Sequence, residues 1–227
     1  MALSIGGGME FGGGITITDP PPGPLAIGDA YGGGFYAGQI STSGNGIADY
    51  NLVVGPKAST NYYVPWATFF TTVANASSNI DGPLNTTNIR NAVGYGAAYL
   101  MDINTTGGFT DWYLPAKNEL EVCYYNLKNY IYSNNTASGV NPNAIPPRAS
   151  NYTAGTPAQT PATQFQAFGG SEFFVAFNGG YWSSTQSTVN ASTYAWRQRF
   201  NDGYQIAGGG YTKLTYLYAR AVRRVAV

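Results

Sequence analysis

The chain has 227 residues, with 11 basic and 11 acidic side chains, no net charge and no histidine. That length suits one large domain, or one domain plus an appendage. Balanced charge argues against a nucleic-acid binder, which carries a basic excess, and the lack of histidine excludes Ser-His-Asp and Cys-His catalysis and every histidine metal site.

Charged residues make up 10% of the chain, against roughly 25% in an ordinary soluble domain. Disorder does not explain this, because 44% of the residues are hydrophobic and 15% aromatic. Two explanations stay open: partner chains cover much of the surface, or the exterior is neutral and amide-rich. Cys123 is the single cysteine, so no internal disulfide forms. Its spacing from Leu120 and Leu127 predicts a buried helical position rather than a nucleophile. No run of about 20 apolar residues occurs, so no membrane insertion is expected.

Residues 1–24 read as a Gly/Pro-rich arm. Ile5, Met9, Phe11, Ile15 and Ile17 are its apolar contacts, separated by triple glycines, and Ile15-Thr16-Ile17-Thr18 alternates as a strand added to another sheet edge would. Asp19-Pro20-Pro21-Pro22-Gly23-Pro24 reads as a stiff, extended spacer. Met1 to Gly14 has no basic start and its apolar residues are interrupted, so it does not read as a secretion signal. The Asn-x-Ser/Thr sequons at Asn75, Asn85, Asn104, Asn134, Asn151 and Asn190 are read as products of composition.

Residues 25–227 read as one domain. Strands are predicted over 35–40 and 50–54. Ile89, Ala92, Val93, Ala97, Leu100 and Met101 recur at helical spacing and predict a helix near 88–101, capped by Thr86 or Thr87. Leu120, Cys123, Tyr124, Leu127, Tyr130 and Ile131 predict a second helix near 116–131, opening after Pro115. Residues 133–170 have no period and read as a long ordered loop. Short strands follow over 181–184, 193–200 and 217–225, with Asn201-Asp202-Gly203 as a turn.

Three blocks stand in order: residues 27–36 (Ile-Gly-Asp-Ala-Tyr-Gly-Gly-Gly-Phe-Tyr), residues 108–120 (Gly-Phe-Thr-Asp-Trp-Tyr-Leu-Pro-Ala-Lys-Asn-Glu-Leu), and Tyr181-Trp182-Ser183-Ser184-Thr185 with Ala195-Trp196, Phe200 to Gly203, Lys213 and Ala219 to Arg223. Together they resemble the DUF1566, or Lcl C-terminal, family. The resemblance covers residues 27–225 except the 133–170 stretch. It implies an α+β fold related to the C-type-lectin-like domains of formylglycine-generating enzymes and retroelement-diversified proteins, with two helices and antiparallel sheets. Ala116 stands where that family often has Ser, which would weaken the helix cap by about 1 kcal/mol.

In these blocks Asp111, Trp112, Glu119, Trp182, Trp196, Arg220 and Arg223 read as structural. Asp111 sits where a carboxylate accepts orphan amides ahead of the helix. Arg220 and Arg223, in an apolar last strand, need acidic partners, and Asp111, Glu119 and Glu121 are the candidates. The expected recognition surface carries Arg197, Arg199, Asn201, Tyr204, Gln205 and Tyr211; such Tyr- and Asn-rich loops are paratope-like. Strand alternation would put Tyr194, Trp196 and Phe200 in the core and Arg197, Arg199 and Asn201 outside.

Asn141-Pro142-Asn143 and Phe200-Asn201-Asp202 echo calcium-lectin ligands, but acids are too sparse near them for a calcium site. No cofactor, metal or catalytic residue is expected. A formylglycine-generating mechanism relies on a cysteine pair, and a glycan hydrolase on a recognisable carboxylate pair. The Gly-rich start resembles that of phage structural proteins. The expectation is therefore a non-enzymatic protein of a phage particle surface: a capsid decoration or tail-fibre-associated protein. Its arm would contact other virion proteins, with homo-oligomer formation and possible attachment to a host-surface glycan or protein. The alternative is a secreted or surface adhesin of the same family; a catalytic reading ranks third.

Overall fold

The computed structural model describes residues 23–175 and 179–227. The arm residues Ile5, Met9, Phe11, Ile15 and Ile17 lie outside the described residues.

Two five-stranded sheets and four helices make an α+β fold among the described residues. The first sheet runs β1 (Ala30–Tyr31), β2 (Gly34–Ile40), β3 (Tyr50–Val54), β10 (Val222–Ala226), with β5 (Ala144–Ile145) added on β2. The second runs β4 (Asn61–Pro65), β9 (Tyr216–Arg220), β6 (Tyr181–Gln186), β7 (Ala195–Gln198), β8 (Gln205–Ala207). Pairing is antiparallel except at Tyr181↔Tyr218 between β6 and β9. C-terminal β10 lies against β3, from Val222↔Val54 to Ala226↔Tyr50. The last two strands thus pair with β3 and β4.

The terminal segment predicted as one strand is two. β9 belongs to the second sheet and β10 to the first, and Ala221 between them exchanges backbone hydrogen bonds with Gly55 and Thr60. Crossing between sheets buries both faces: Ala219, Arg220, Ala221 and Val222 are all enclosed. An alternating pattern is therefore missing where the chain changes sheets.

The helix expected near 88–101 is also two: α2 (Gly82–Val93) and α3 (Ala97–Asp102), after the one-turn α1 (Lys57–Thr60). Gly94 (φ +66°) ends α2, and Gly96 (φ +155°) passes so close to Trp66 that an added Cβ would lie 2.4 Å from its carbonyl. Only glycine fits both conditions. The cap is neither Thr86 nor Thr87. Asp81 accepts the Leu84 N–H at 3.1 Å, with Pro83 in the first turn. Thr86 is buried, and its hydroxyl accepts the Leu114 N–H at 3.1 Å.

α4 (Lys117–Leu127) stops short of the expected 131. Ala116, its first flanking residue, has no side-chain oxygen to offer, and the helix's own Glu119 together with remote parts of the chain caps it. Glu119 accepts the Ala116 N–H at 2.8 Å, Thr185 Oγ1 accepts that of Lys117 at 2.9 Å, and the Asn79 carbonyl accepts that of Asn118 at 2.8 Å. Asp111 takes no part in this cap.

Residues 133–170 run without a long element yet send Tyr152, Ala162 and Phe165 into the core. Asn134 and buried Lys128 tie this stretch down: the Lys128 ammonium donates to Asn134 Oδ1 at 2.7 Å and to the Tyr132 and Pro157 carbonyls. Three sequon asparagines, Asn85, Asn104 and Asn134, are buried and donate to backbone carbonyls. Two clusters form the core, one around Tyr124, Phe173, Tyr181 and Phe200, the other around Trp66, Trp112 and Trp182.

Candidate binding surface

β7 and β8 form a hairpin whose turn places Gly203 (φ +77°) against the Tyr124 ring. Register divides the expected recognition residues between its two faces. Trp196↔Ala207 and Gln198↔Gln205 lie on one face, Arg197↔Ile206 on the other.

On the first face Trp196 is half-buried rather than core, with the Lys117 ammonium 4.5 Å from its ring. Gln205 donates to the Lys117 carbonyl at 3.1 Å, and both side chains border a small polar recess with Ser138 and Asn151.

On the second face Arg197 departs from expectation: it is 5% exposed. The 208–215 turn folds back, so that Tyr211 covers the guanidinium at 4.0 Å while Nη1 donates to the Gly179 carbonyl at 2.6 Å. Burial holds the Arg197 pKa below its ordinary value. Arg199 is half-buried, pairs with Asp202 and sits 4.9 Å from the Tyr204 ring. Asn201 is buried at 8% exposure, not outside. Arg197 and Arg199 are therefore engaged in contacts within the chain, and the Asn201 side chain is turned inward. Phe200 is core, as alternation predicted, and stacks on Phe173 at 3.9 Å.

Beyond Tyr211 the second sheet opens into a cleft of about 370 Å³, walled by Tyr63, Phe174, Tyr211, Tyr216 and Tyr218, with Gly179 and Gly180 at one side. β4 and β9 build it. Tyr63 pairs directly with Tyr218, and Tyr216 follows two residues along on the same face. Val64, Leu217 and Ala219 point the other way, into the core. The rings form a continuous row, with centroids 5.7 Å apart for Tyr63–Tyr216, 5.1 Å for Tyr63–Tyr218 and 4.5 Å for Phe174–Tyr218. Tyr63, Tyr216 and Phe174 are 61%, 54% and 44% exposed. Among the described residues the lining holds no carboxylate, ammonium or guanidinium, so these rings suit neutral, ring-shaped or apolar contact. A sequence signal existed for this cleft in the alternation of Tyr216-Leu217-Tyr218-Ala219. The pairing of Asn61–Pro65 with 216–220, however, spans most of the chain.

The residues expected to be structural are engaged internally. Trp112 donates to the Thr106 carbonyl at 3.0 Å, and Trp182 is fully buried. Arg223 pairs with Asp111, while Arg220 has no carboxylate partner among the described residues. It is fully buried, donates to the Gly55 and Ser171 carbonyls, and lies 5.2 Å from the Phe173 ring; burial pushes it down to about 10. Glu119 instead pairs with Arg224 at 2.9 Å, and Glu121 with Arg148. Neither arginine was foreseen. Cys123 is enclosed, and burial raises its thiol well above the ordinary range. The amide oxygens of Asn141 and Asn143 face the chain's own donors, Asn143 N–H at 3.0 Å and Asn118 Nδ2 at 2.7 Å.

Compared with known proteins, residues 66–223 match the model of the Lcl C-terminal domain. No curated protein and no solved structure matches the chain.

Proposed function

Because the chain belongs to the Lcl C-terminal domain family, we propose that it is a C-type-lectin-like, non-enzymatic assembly and binding protein of a phage particle. The observation that carries this reading is the exposed tyrosine cleft. A contiguous aromatic patch at the surface marks a contact site, and among the described residues that line it none carries a charge. The scarcity of charge over the whole chain agrees with a surface covered by neighbours in an assembly. In this reading residues 1–24 fasten the protein to other virion proteins, as a head decoration or tail-fibre-associated subunit. The domain then faces its copies and, in the adhesive variant of the role, a host-surface glycan or protein.

Mass spectrometry of purified particles, with chemical cross-linking, tests the proposal. Peptides of this chain should be present in stoichiometric amount and cross-linked to structural proteins. A version lacking residues 1–24 should fold, melt cooperatively and fail to incorporate. Absence from the particle, or incorporation of the truncated chain at normal occupancy, would overturn it.

A further inference from the structure

We infer that the recess between Lys117 and Trp196 holds the carboxylate-bearing sugar of an acidic glycan, a uronic or sialic acid unit. This deepens the adhesive variant of the role proposed above, at a recess that shares no lining residue with the tyrosine cleft. It rests on that reading only for its setting in the particle.

Three observations lead to it. The first is an unanswered charge. All 11 basic side chains lie among the described residues. Six of them pair with carboxylates. Lys128, Arg197, Lys213 and Arg220 donate to carbonyl or carboxamide oxygens. Among the described residues Lys117 alone does neither, and its ammonium has the Trp196 ring, 4.5 Å away, for a neighbour. Glu121, one turn along α4, is the acid whose charge reaches it. Both Glu121 oxygens are taken, Oε1 by the Tyr152 hydroxyl at 2.7 Å and Oε2 by Asn141 and Arg148. Half-burial strips water from the ammonium and pulls its pKa below the ordinary value. An incoming carboxylate offsets that cost, which the folded chain leaves standing.

The second is the set of neutral groups around it. Ser138, Asn151, Trp196 and Gln205 share the lining. Ser138 Oγ accepts the Gln205 N–H at 3.0 Å, which leaves its own hydrogen free to donate. Trp196 Nε1 donates to no group among the described residues and is a second free donor. The side-chain nitrogens of Asn151 and Gln205 face the chain, donating to the Thr136 carbonyl at 3.0 Å and the Lys117 carbonyl at 3.1 Å. No donor among the described residues reaches their oxygens. One cation, two donors and two acceptors match a ligand that carries both a carboxylate and hydroxyls. A simple anion would leave the acceptors unused, and a neutral sugar would leave the ammonium unanswered.

The third is a fixed frame. Gly139 (φ +123°) presses the 137–140 turn so close to Tyr152 that an added Cβ would lie 2.5 Å from the Tyr152 nitrogen. The Ser138 carbonyl accepts the Tyr152 N–H at 2.7 Å. Gln205 ties β8 both to Ser138 and to the first residue of α4. The polar groups are thus placed before a ligand arrives, and little ordering cost is left for binding. The recess measures about 140 Å³, so it takes a single sugar unit rather than a chain of them.

Titration of the full chain tests this, followed by the Trp196 indole N–H signal in nitrogen-edited NMR spectra and assigned with Trp196→Phe. The probes are methyl glucuronide, the methyl glycoside of N-acetylneuraminic acid, methyl glucoside, sodium acetate and diglycine. One or both sugar acids should move the signal saturably, and which of them does so names the source of the carboxylate. Methyl glucoside and acetate should each bind at least tenfold more weakly than the better sugar acid. Lys117→Gln should weaken that binding at least tenfold, and Lys117→Arg, which keeps the charge, should restore most of it. Saturable binding of neither sugar acid would overturn the proposal. Equal affinity for acetate or methyl glucoside would do the same, as would unchanged affinity in Lys117→Gln or an equal loss in Lys117→Arg. Tighter binding of diglycine would make the recess a seat for a peptide terminus and overturn the glycan. These measurements need only the pure protein, so their failure is separate from the protein's absence from particles.

Discussion

Asp111 and Arg223 face each other across the first sheet's edge through two parallel hydrogen bonds, Nε to Oδ1 at 2.8 Å and Nη2 to Oδ2 at 2.9 Å. The guanidinium also donates to the Gly32 carbonyl at 2.7 Å and lies 3.7 Å from the Phe109 ring. This one contact joins the first and second sequence blocks to the last strand.

The partners are unequally buried, with side-chain exposures of 10% for Arg223 and 53% for Asp111. Arg223→Ala should therefore cost about 2–3 kcal/mol, toward the low end for a broken buried pair. Asp111→Asn should cost about 1 kcal/mol because water screens that side. Urea denaturation of both single variants and the double checks this. Additive losses, with no coupling in the cycle, would show that the pair does not act as a unit.

At the start of α4 the cap is incomplete, because Ala116 offers no acceptor to the Glu119 N–H. Ala116→Ser supplies one and should stabilise the domain by about 0.5–1 kcal/mol. Glu119→Ala acts oppositely: it removes the acceptor for the Ala116 N–H and for the Tyr113 hydroxyl, and leaves Arg224 without its carboxylate. That loss should reach about 3–5 kcal/mol. Thermal melts of the two variants should shift in opposite directions.

Lys213 is fully buried, donates to the Thr71 carbonyl at 2.8 Å and Gln186 Oε1 at 2.7 Å, and has no carboxylate partner among the described residues. Burial pushes its pKa down to about 7 from 10.5. Between these values the unfolded chain binds the proton and the folded chain releases it, so this residue makes stability rise with pH from about 7 toward 10. Lys213→Met should flatten that rise relative to the native chain. Denaturation midpoints at several pH values across this window decide it; parallel curves would refute the assignment.

Cys123 should be inert while the domain is folded, because its thiol is enclosed and held in the protonated form. Ellman's reagent should react with it only in denaturant. Fast labelling of the native protein would contradict the enclosed position.

Much of the framework was legible in the sequence. The strands β2 and β3 and helix α4 follow from apolar spacing, and the block after Pro115 names Glu119, whose role is local to its own helix. The splitting of the 88–101 helix had a cue in Gly94 and Gly96, yet its cause is the Trp66 carbonyl beside Gly96, brought there by the fold. The burial of Arg197 and Asn201 was not legible. Side-chain period assigns faces on one strand, but it does not say what covers each face. Arg197 looked exposed because Tyr211 is distant in sequence.

By itself the sequence determined the local propensities, the family and the absence of histidine chemistry. Those depend on residue identity and on spacings within a single element. Tertiary structure alone decided that Arg223 takes Asp111 while Arg220 takes carbonyls, that Thr185 and Asn79 help cap α4, and that Tyr63 meets Tyr218 to open a cleft. Each joins segments remote along the chain. Which polar group a buried donor meets, and which aromatic face stays in water, are set when the two sheets close on one another. No periodicity in the sequence carries that information.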